Sequence, residues 1–430
     1  MAATLAQKLI AKASGRPEIA PGEIVTCSVD LAMMHDSSGP RRVGPVLERL
    51  GADIWDRDRV VLVSDHYAPA VDARSAGILD LTRKWAEARG IRHFYDMRGI
   101  CHIVIAQEGH LRPGLFAVGG DSHSTTGGAF ACYMFGIGAT EMTGVLATGE
   151  IWLKVPETVR ISLEGAWPEG ISAKDVMLAL CARLGMNGAR YNAVEYAGEA
   201  VAGLAMAERM TLSNMAAELG AQTGLIGADD MTVAYLRAAG CEDLTTEEVK
   251  RWHSDDGAHY LETHRLDVSA LAPQVAAPHS PANAADVAVS AGTAIQQAYI
   301  GACTGAKLSD LHMAARVLRG RQVASGVRLL LAPASTEVSR QAAADGTLAA
   351  LSEAGAILVS TGCGACAGLG AGLLAEDEVC ISSSARNFRG RMGAASSQVY
   401  LASPYTVAAS AVAGVISDPR PMLQEAGDDR

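Results

Sequence analysis

The chain is 430 residues long, with 49% hydrophobic and 19% charged residues, 45 glycines and only 5% aromatics. That balance excludes a disordered chain and favours α/β layers with tight loops over an aromatic-packed β-sandwich, in about two or three domains. A formal net charge of −11 argues against nucleic acid or an anionic membrane as partner, and nine cysteines, an odd number thinly spread, do not make a secreted disulfide framework.

In chain order, MAATLAQKLIAKASGRPEIAPGE sets Lys8 and Lys12 into an alanine-rich helical pattern without the apolar run of a signal peptide. No stretch approaches a membrane span, so a reduced, cytoplasmic protein is expected. GEIVTCSVDLAM and DRVVLVSDH read as strands, while VGPVLERLG and AGILDLTRKWAEARG read as helices that stop on glycine. GICHIV places His102 at a strand-like edge, where a satisfied core histidine is the plain alternative to a functional one. TVRISLEGAW reads as a strand, ISAKDVMLALCARLG as a helix starting near Ser172, and LSNMAAELGAQTGLIG continues the α/β texture. Pro273, Pro278 and Pro281 make 273–287 a stiff, extended connector. After it QQAYIG, VRLLLAP and AGAILVS read as buried strands alternating with helices. The expected fold class is α/β with mostly parallel sheets, in domains 1–154, 155–272 and 288–430 with 273–287 as linker.

Two thiols in STGCGACAGLG, Cys363 and Cys366, suit a redox disulfide, half of a zinc site or part of an iron–sulfur cluster. Cys303, in AYIGACTGAKLSDL, follows a strand in the same domain; it is a third ligand or simply a buried small hydrophobe. A structural zinc site wants four closed ligands, and a redox pair leaves the third thiol idle. Three thiolates on a cluster leave one iron open to act as a Lewis acid. VSDHYAP supplies Asp65 and His66, and GGDSHSTTGG supplies Asp121, Ser122 and His123, each group just after a strand. A carboxylate there can hold an imidazole in one tautomer and tune its proton affinity. In SSARNFRGRMG, Arg386 and Arg391 could clamp a carboxylate bidentately, with Arg389 read as solvated.

Taken together these motifs resemble the aconitase superfamily, most closely its 3-isopropylmalate dehydratase and homoaconitase-like large subunits. The likeness runs through MMHD, SDH, RGICH, GGDSH, FGIGATE, WLKVPET, AVEYAGEA, NMAAELGA, APHSP, GACT, GCGAC and RNFRGR. It implies three α/β/α domains without the fourth, swivelling one. It also implies a 4Fe-4S cluster on Cys303, Cys363 and Cys366, with Asp65, His66, His102, Asp121, His123 and Glu218 around the reacting centre. Asn214 and Ser122 would lie close to cluster or substrate, and Arg386 and Arg391 would grip a substrate carboxylate. Cys27, Cys101, Cys132, Cys181, Cys241 and Cys380 match no ligand motif and are expected to pack. The implied reaction dehydrates and rehydrates a hydroxy di- or tricarboxylic acid, of the 3-isopropylmalate type first and of the homoaconitase or dimethylmalate type otherwise. Since the sequence stops at Arg430, the catalytic serine and swivel domain are expected on a separate small subunit. Ala385 and Gly305 stand where the family usually has asparagine. A cluster-sensing RNA binder is the alternative from another class, and the net charge of −11 argues against it.

Overall fold

The computed structural model describes residues 2–428. Three sheets carry the chain, and the first and third are wound alike. In the first, the strands run His93–Asp96, Val60–Ser64, Leu31–His35, Phe116–Gly119, Tyr133–Gly136, with every neighbouring pair parallel. The chain enters at Leu31–His35, builds outward on one side, then returns to build on the other. The strand order therefore reverses between Leu31–His35 and Phe116–Gly119, which opens a crevice beyond their carboxyl ends. Both strands are fully buried, as continuous apolar runs in a two-sided parallel sheet must be.

The third sheet repeats the device. Gln297–Ile300 is followed on one side by Arg328–Leu331 and Ile357–Leu358, and on the other by Val379–Ser382 and Gln398–Ala402, all parallel. Its reversal falls between Gln297–Ile300 and Val379–Ser382, so the loops at 301–305 and 383–386 share one crevice. The second sheet is Thr223–Leu225, Ala193–Ala197, Thr158–Glu164, Glu262–Asp267, also parallel throughout. A separate antiparallel pair joins Ile24–Ser28 to Glu150–Lys154.

Three details differ from the sequence reading. The proline-bearing stretch is no bare connector: Gln274–Ala276 and Ala284–Asp286 pair antiparallel and extend the third sheet through Gln398–Ala402. The prolines lie outside those two strands, where a missing N–H breaks no ladder bond. Ile357–Leu358 is a two-residue edge strand with both side chains exposed, not a buried one. His102 lies in the helix Cys101–Gln107, not on a strand; CHIVIAQ is buried nearly all round, so it shows no periodicity to tell helix from strand.

The helices stop as expected: Gly51 and Gly90 close Pro40–Leu50 and Ala73–Arg89 in the left-handed conformation, and Ser172 caps Ala173–Leu184. One apolar core joins the first and third sheets, running from Met33, Val61 and Val63 to Ala298, Ile300 and Leu331. The two crevices are thereby fixed against each other. Among the described residues no helix is long and apolar enough to cross a membrane.

Candidate active site

Three strands of the first sheet are followed by an aspartate, directly or after one residue: LAMMH before Asp36, VVLVS before Asp65 and FAVG before Gly120 and Asp121. Asp36 is wholly buried and accepts the backbone N–H groups of Asp65, His66 and Tyr67 at 3.3, 3.1 and 2.8 Å. It thus folds the segment that presents Asp65 and His66. His66 donates from Nδ1 to Asp65 Oδ1 at 2.7 Å, and the second oxygen of Asp65 accepts the Cys101 N–H at 2.8 Å. The His35 ring stacks on the His66 ring at 3.9 Å, tilted by 9°.

Electrostatics divide the two rings. Burial works against a charge on His66, but the charge and hydrogen bond of Asp65, helped by Asp121 and Asp36, hold its pKa up to about 9. For His35 burial and the neighbouring His66 prevail and push it down to about 4. Near neutrality a charged ring lies on a neutral one. Burial would also raise Asp65, yet His66 outweighs it and keeps that carboxyl well below its usual range.

Asp121 collects a second group. His102 donates from Nε2 to Asp121 Oδ1 at 2.9 Å, and the His123 N–H reaches the same oxygen at 2.8 Å. His123 Nε2 lies 3.1 Å from Glu218 Oε1, which also accepts Arg386 Nε–H at 2.7 Å. Arg386 Nη1 donates to Ser122 Oγ at 2.9 Å. A chain from Asp121 through His123 and Glu218 to Arg386 therefore crosses all three sheets. Against their burial, these donors hold Asp121 and Glu218 below the ordinary carboxylate range. The two groups meet where His66 Nε2 stands 4.0 Å from Asp121 Oδ2.

The cysteines face this array. The Cys363 N–H donates to the Asp65 carbonyl at 2.9 Å, and Cys363 Sγ lies 3.7 Å from Asp65 Oδ2. Gly362 makes that approach possible: at φ +132° a Cβ there would stand 2.7 Å from the Asp65 carbonyl oxygen. Cys303 is buried, and Asn214 Nδ2 lies 3.2 Å from its sulfur while also donating to Thr126 Oγ1 at 2.8 Å. On the far side the Arg391 carbonyl packs against Gly368 of the cysteine loop.

A metal cluster fits the donor set. As free thiols Cys303 and Cys363 are reluctant to ionise: burial pushes Cys303 up to about 12, and burial with the charges of Asp65 and Asp121 pushes Cys363 well above its usual value. Each is raised further by Cys366, and Cys363 also by Cys303, so the three sulfurs feel one another. A cationic metal centre is what would draw such thiols into the thiolate form. Ten buried side-chain polar atoms lack a hydrogen-bond partner among the described residues, and three of them belong to candidate site residues: His102 Nδ1, Asn214 Oδ1 and Arg391 Nε. Such atoms await a ligand or water.

The structure thus brings together Asp65, His66, His102, Asp121, Ser122, His123, Glu218 and Arg386 in one hydrogen-bonded array, with Asn214 on Cys303 and Cys363 on Asp65. Arg391 joins through its backbone, and no ion pair engages its guanidinium among the described residues. Arg389 is exposed. The six other cysteines are all buried. Sequence reasoning missed His35, Asp36, Thr126 and Lys174. The signal for Asp36 was present, since it repeats the strand-then-aspartate pattern of Asp65.

The family described as "Aconitase family (aconitate hydratase)" matches residues 11–414. The 3-isopropylmalate dehydratase large subunit 1 of Methanopyrus kandleri is 46% identical over 426 residues, 98% of this chain and 100% of its own length. The probable 3-isopropylmalate dehydratase large subunit of Methanothermobacter thermautotrophicus is 42% identical, covering 97% of this chain and 99% of its own. From the same organism, a probable methanogen homoaconitase large subunit is 43% identical, covering 99% and 98%.

Proposed function

The chain belongs to the aconitase family, and from that membership we propose that it is the large subunit of an iron–sulfur hydro-lyase acting on 3-isopropylmalate or a close relative. The observation that carries the reading is the meeting of two crevices: the Cys363 sulfur at Asp65, the Asn214 amide on the Cys303 sulfur, and the His66–Asp65 pair between them. Cys303, Cys363 and Cys366 would hold a 4Fe-4S cluster whose fourth iron, free of protein ligands, supplies Lewis acidity toward a substrate hydroxyl.

The chain's own residues have defined tasks in that reaction. His66 keeps its proton through the neutral range because Asp65 holds it up, so its Nε2–H can pass a proton to a departing hydroxyl. Asp36 and the stacked His35 ring fix the angle of that imidazole. Arg391, whose guanidinium is not held by a carboxylate, takes a substrate carboxylate, and Arg386 reaches the same space from its anchor on Glu218 and Ser122. Two fixed positive charges beside that carboxylate make negative charge at the neighbouring carbon tolerable. His102 and His123, both on Asp121, complete the polar wall.

The relatives' designation as large subunits supports a small-subunit partner, and that partner would bring the swivel domain with the serine that removes the carbon-bound proton. The compartment would be the cytoplasm, and the net charge of −11 favours a small acid over nucleic acid as ligand. The homoaconitase reading stands second, on the 43% identical relative of that designation. Anaerobic purification should give a brown protein with about four irons per chain. Mixing it with its small subunit should turn over isopropylmalate faster than homocitrate or dimethylmalate, followed by absorbance of the unsaturated acid. A colourless, zinc-binding preparation would overturn the reading, and preference for homocitrate would move the substrate to the second.

A further inference from the structure

Lys174 is 1% exposed, yet none of the ion pairs among the described residues involves it. It is the second residue of the helix Ala173–Leu184. Aligned peptide dipoles make that end of a helix positive, so a cation is misplaced there unless negative charge lies nearby. Its ammonium donates to the carbonyls of Ser384 at 2.5 Å and Ser383 at 3.3 Å, and to the Thr304 hydroxyl at 3.4 Å. Thr304 follows Cys303, and Ser384 stands two residues before Arg386. One buried charge therefore ties together the two loops that leave the third sheet at its reversal point.

Nearby carboxylates are committed elsewhere. Asp175 accepts the N–H groups of Ser172 and Gln274, both at 2.9 Å, and Glu218 serves His123 and Arg386. Lys307, the other buried lysine beside the Cys303 loop, makes the contrast plain. It donates to Thr211 Oγ1 at 3.0 Å and to the Cys303 carbonyl at 3.4 Å, but it has its countercharge, with Asp310 Oδ2 at 2.8 Å. A charge buried with only neutral dipoles around it is strongly disfavoured unless opposite charge lies near. Burial accordingly pulls Lys174 down to about 8, and the charges that oppose it most are those of Cys303 and Cys366.

We propose that Lys174 is the buried countercharge of the cysteine-held cluster: a positioning residue that laces the Cys303 loop to the Arg386 loop and favours the reduced cluster. The inference rests on the cluster assignment made above. Three thiolates bring more negative charge than the oxidised cluster core brings positive, and one-electron reduction adds another without making or breaking a bond. A fixed cation nearby stabilises the more negative state.

The test is a redox titration of the anaerobically purified chain with dithionite as electron donor, read by the electron-paramagnetic signal of the reduced cluster. In Lys174→Gln, which can still donate to the Ser384 carbonyl, and in Lys174→Met, the reduced-to-oxidised ratio at a fixed potential should fall about tenfold, a shift of about 59 mV for one electron. Lys174→Arg, which keeps the charge, should stay within about threefold of wild type. Neutral variants within about twofold of wild type overturn the proposal, as does an arginine variant that shifts as far as they do. Neutral variants whose apoproteins lack native far-ultraviolet circular dichroism also overturn it, because the lysine would then serve the scaffold. A wild type without a cluster overturns this proposal together with the function it rests on; a clustered wild type with unmoved variants overturns this one alone.

Discussion

Replacing Asp36 by alanine probes how the site is held, independently of any bound group. The carboxylate is wholly buried and accepts three N–H groups, from Asp65, His66 and Tyr67. Removing it strands the Asp65 donor in the interior, at about 1–3 kcal/mol, and leaves two half-buried donors, at about 0.5–1 kcal/mol each. Against this, burial and the charge of Asp65 raise the pKa of Asp36, so deleting it relieves a crowded negative charge and offsets part of the loss. The losses win, and Asp36→Ala should lower the unfolding free energy by about 2–3 kcal/mol. Asp36→Asn keeps one acceptor and sheds the charge, and should lose about 1 kcal/mol. Urea unfolding of the apoprotein, followed by tryptophan fluorescence, measures both. An alanine variant within about 0.5 kcal/mol of wild type would refute the reasoning.

Three further outcomes are expected. The folded pKa of His66, about 9, lies above its ordinary 6.5, so its contribution to stability is fully present below pH 6.5 and lost as pH rises through 9. That gap corresponds to about 3 kcal/mol, and apoprotein unfolding of His66→Asn should show a correspondingly flatter decline between those pH values; an unchanged slope would contradict the Asp65–His66 pairing. Cys366→Ser should lose iron during anaerobic purification while Cys132→Ser, buried in the core that joins the first and third sheets, retains it, as read by iron content. Gly305→Asn, which restores the residue usual in the family, should destabilise by about 1–3 kcal/mol, because a Cβ there would stand 2.2 Å from Ser383 Oγ and 2.7 Å from the Ser383 carbonyl oxygen. A neutral result in thermal unfolding would mean that the 383–386 loop yields freely.

Much of the α/β alternation was legible because parallel strands buried on both faces write themselves as short Val, Leu and Ile runs, as in Val60–Ser64 and Arg328–Leu331. The Asp–His segments and the cysteine pair stood out by spacing. His102 did not disclose its helix, because an element buried nearly all round has no polar face to set a period. Asp36 carried the same strand-then-aspartate pattern as Asp65, but the N–H groups it accepts lie after the neighbouring strand, and that adjacency is set by strand order. Lys174 was illegible in a third sense. A lysine near a helix start looks like an ordinary solvated charge until the third sheet closes over it.

The polar array draws on residues from Asp36 to Arg391, more than 300 positions apart. On the ribosome, the strand-end aspartates of the first sheet therefore emerge on the order of tens of seconds before the thiols and arginines they are to meet. In that interval the nascent crevice is an open, acidic mouth washed by water, and the late-arriving thiols have no pocket of their own until they dock against it. A ligand that needs both halves of the site can therefore be held only after the third sheet has been made.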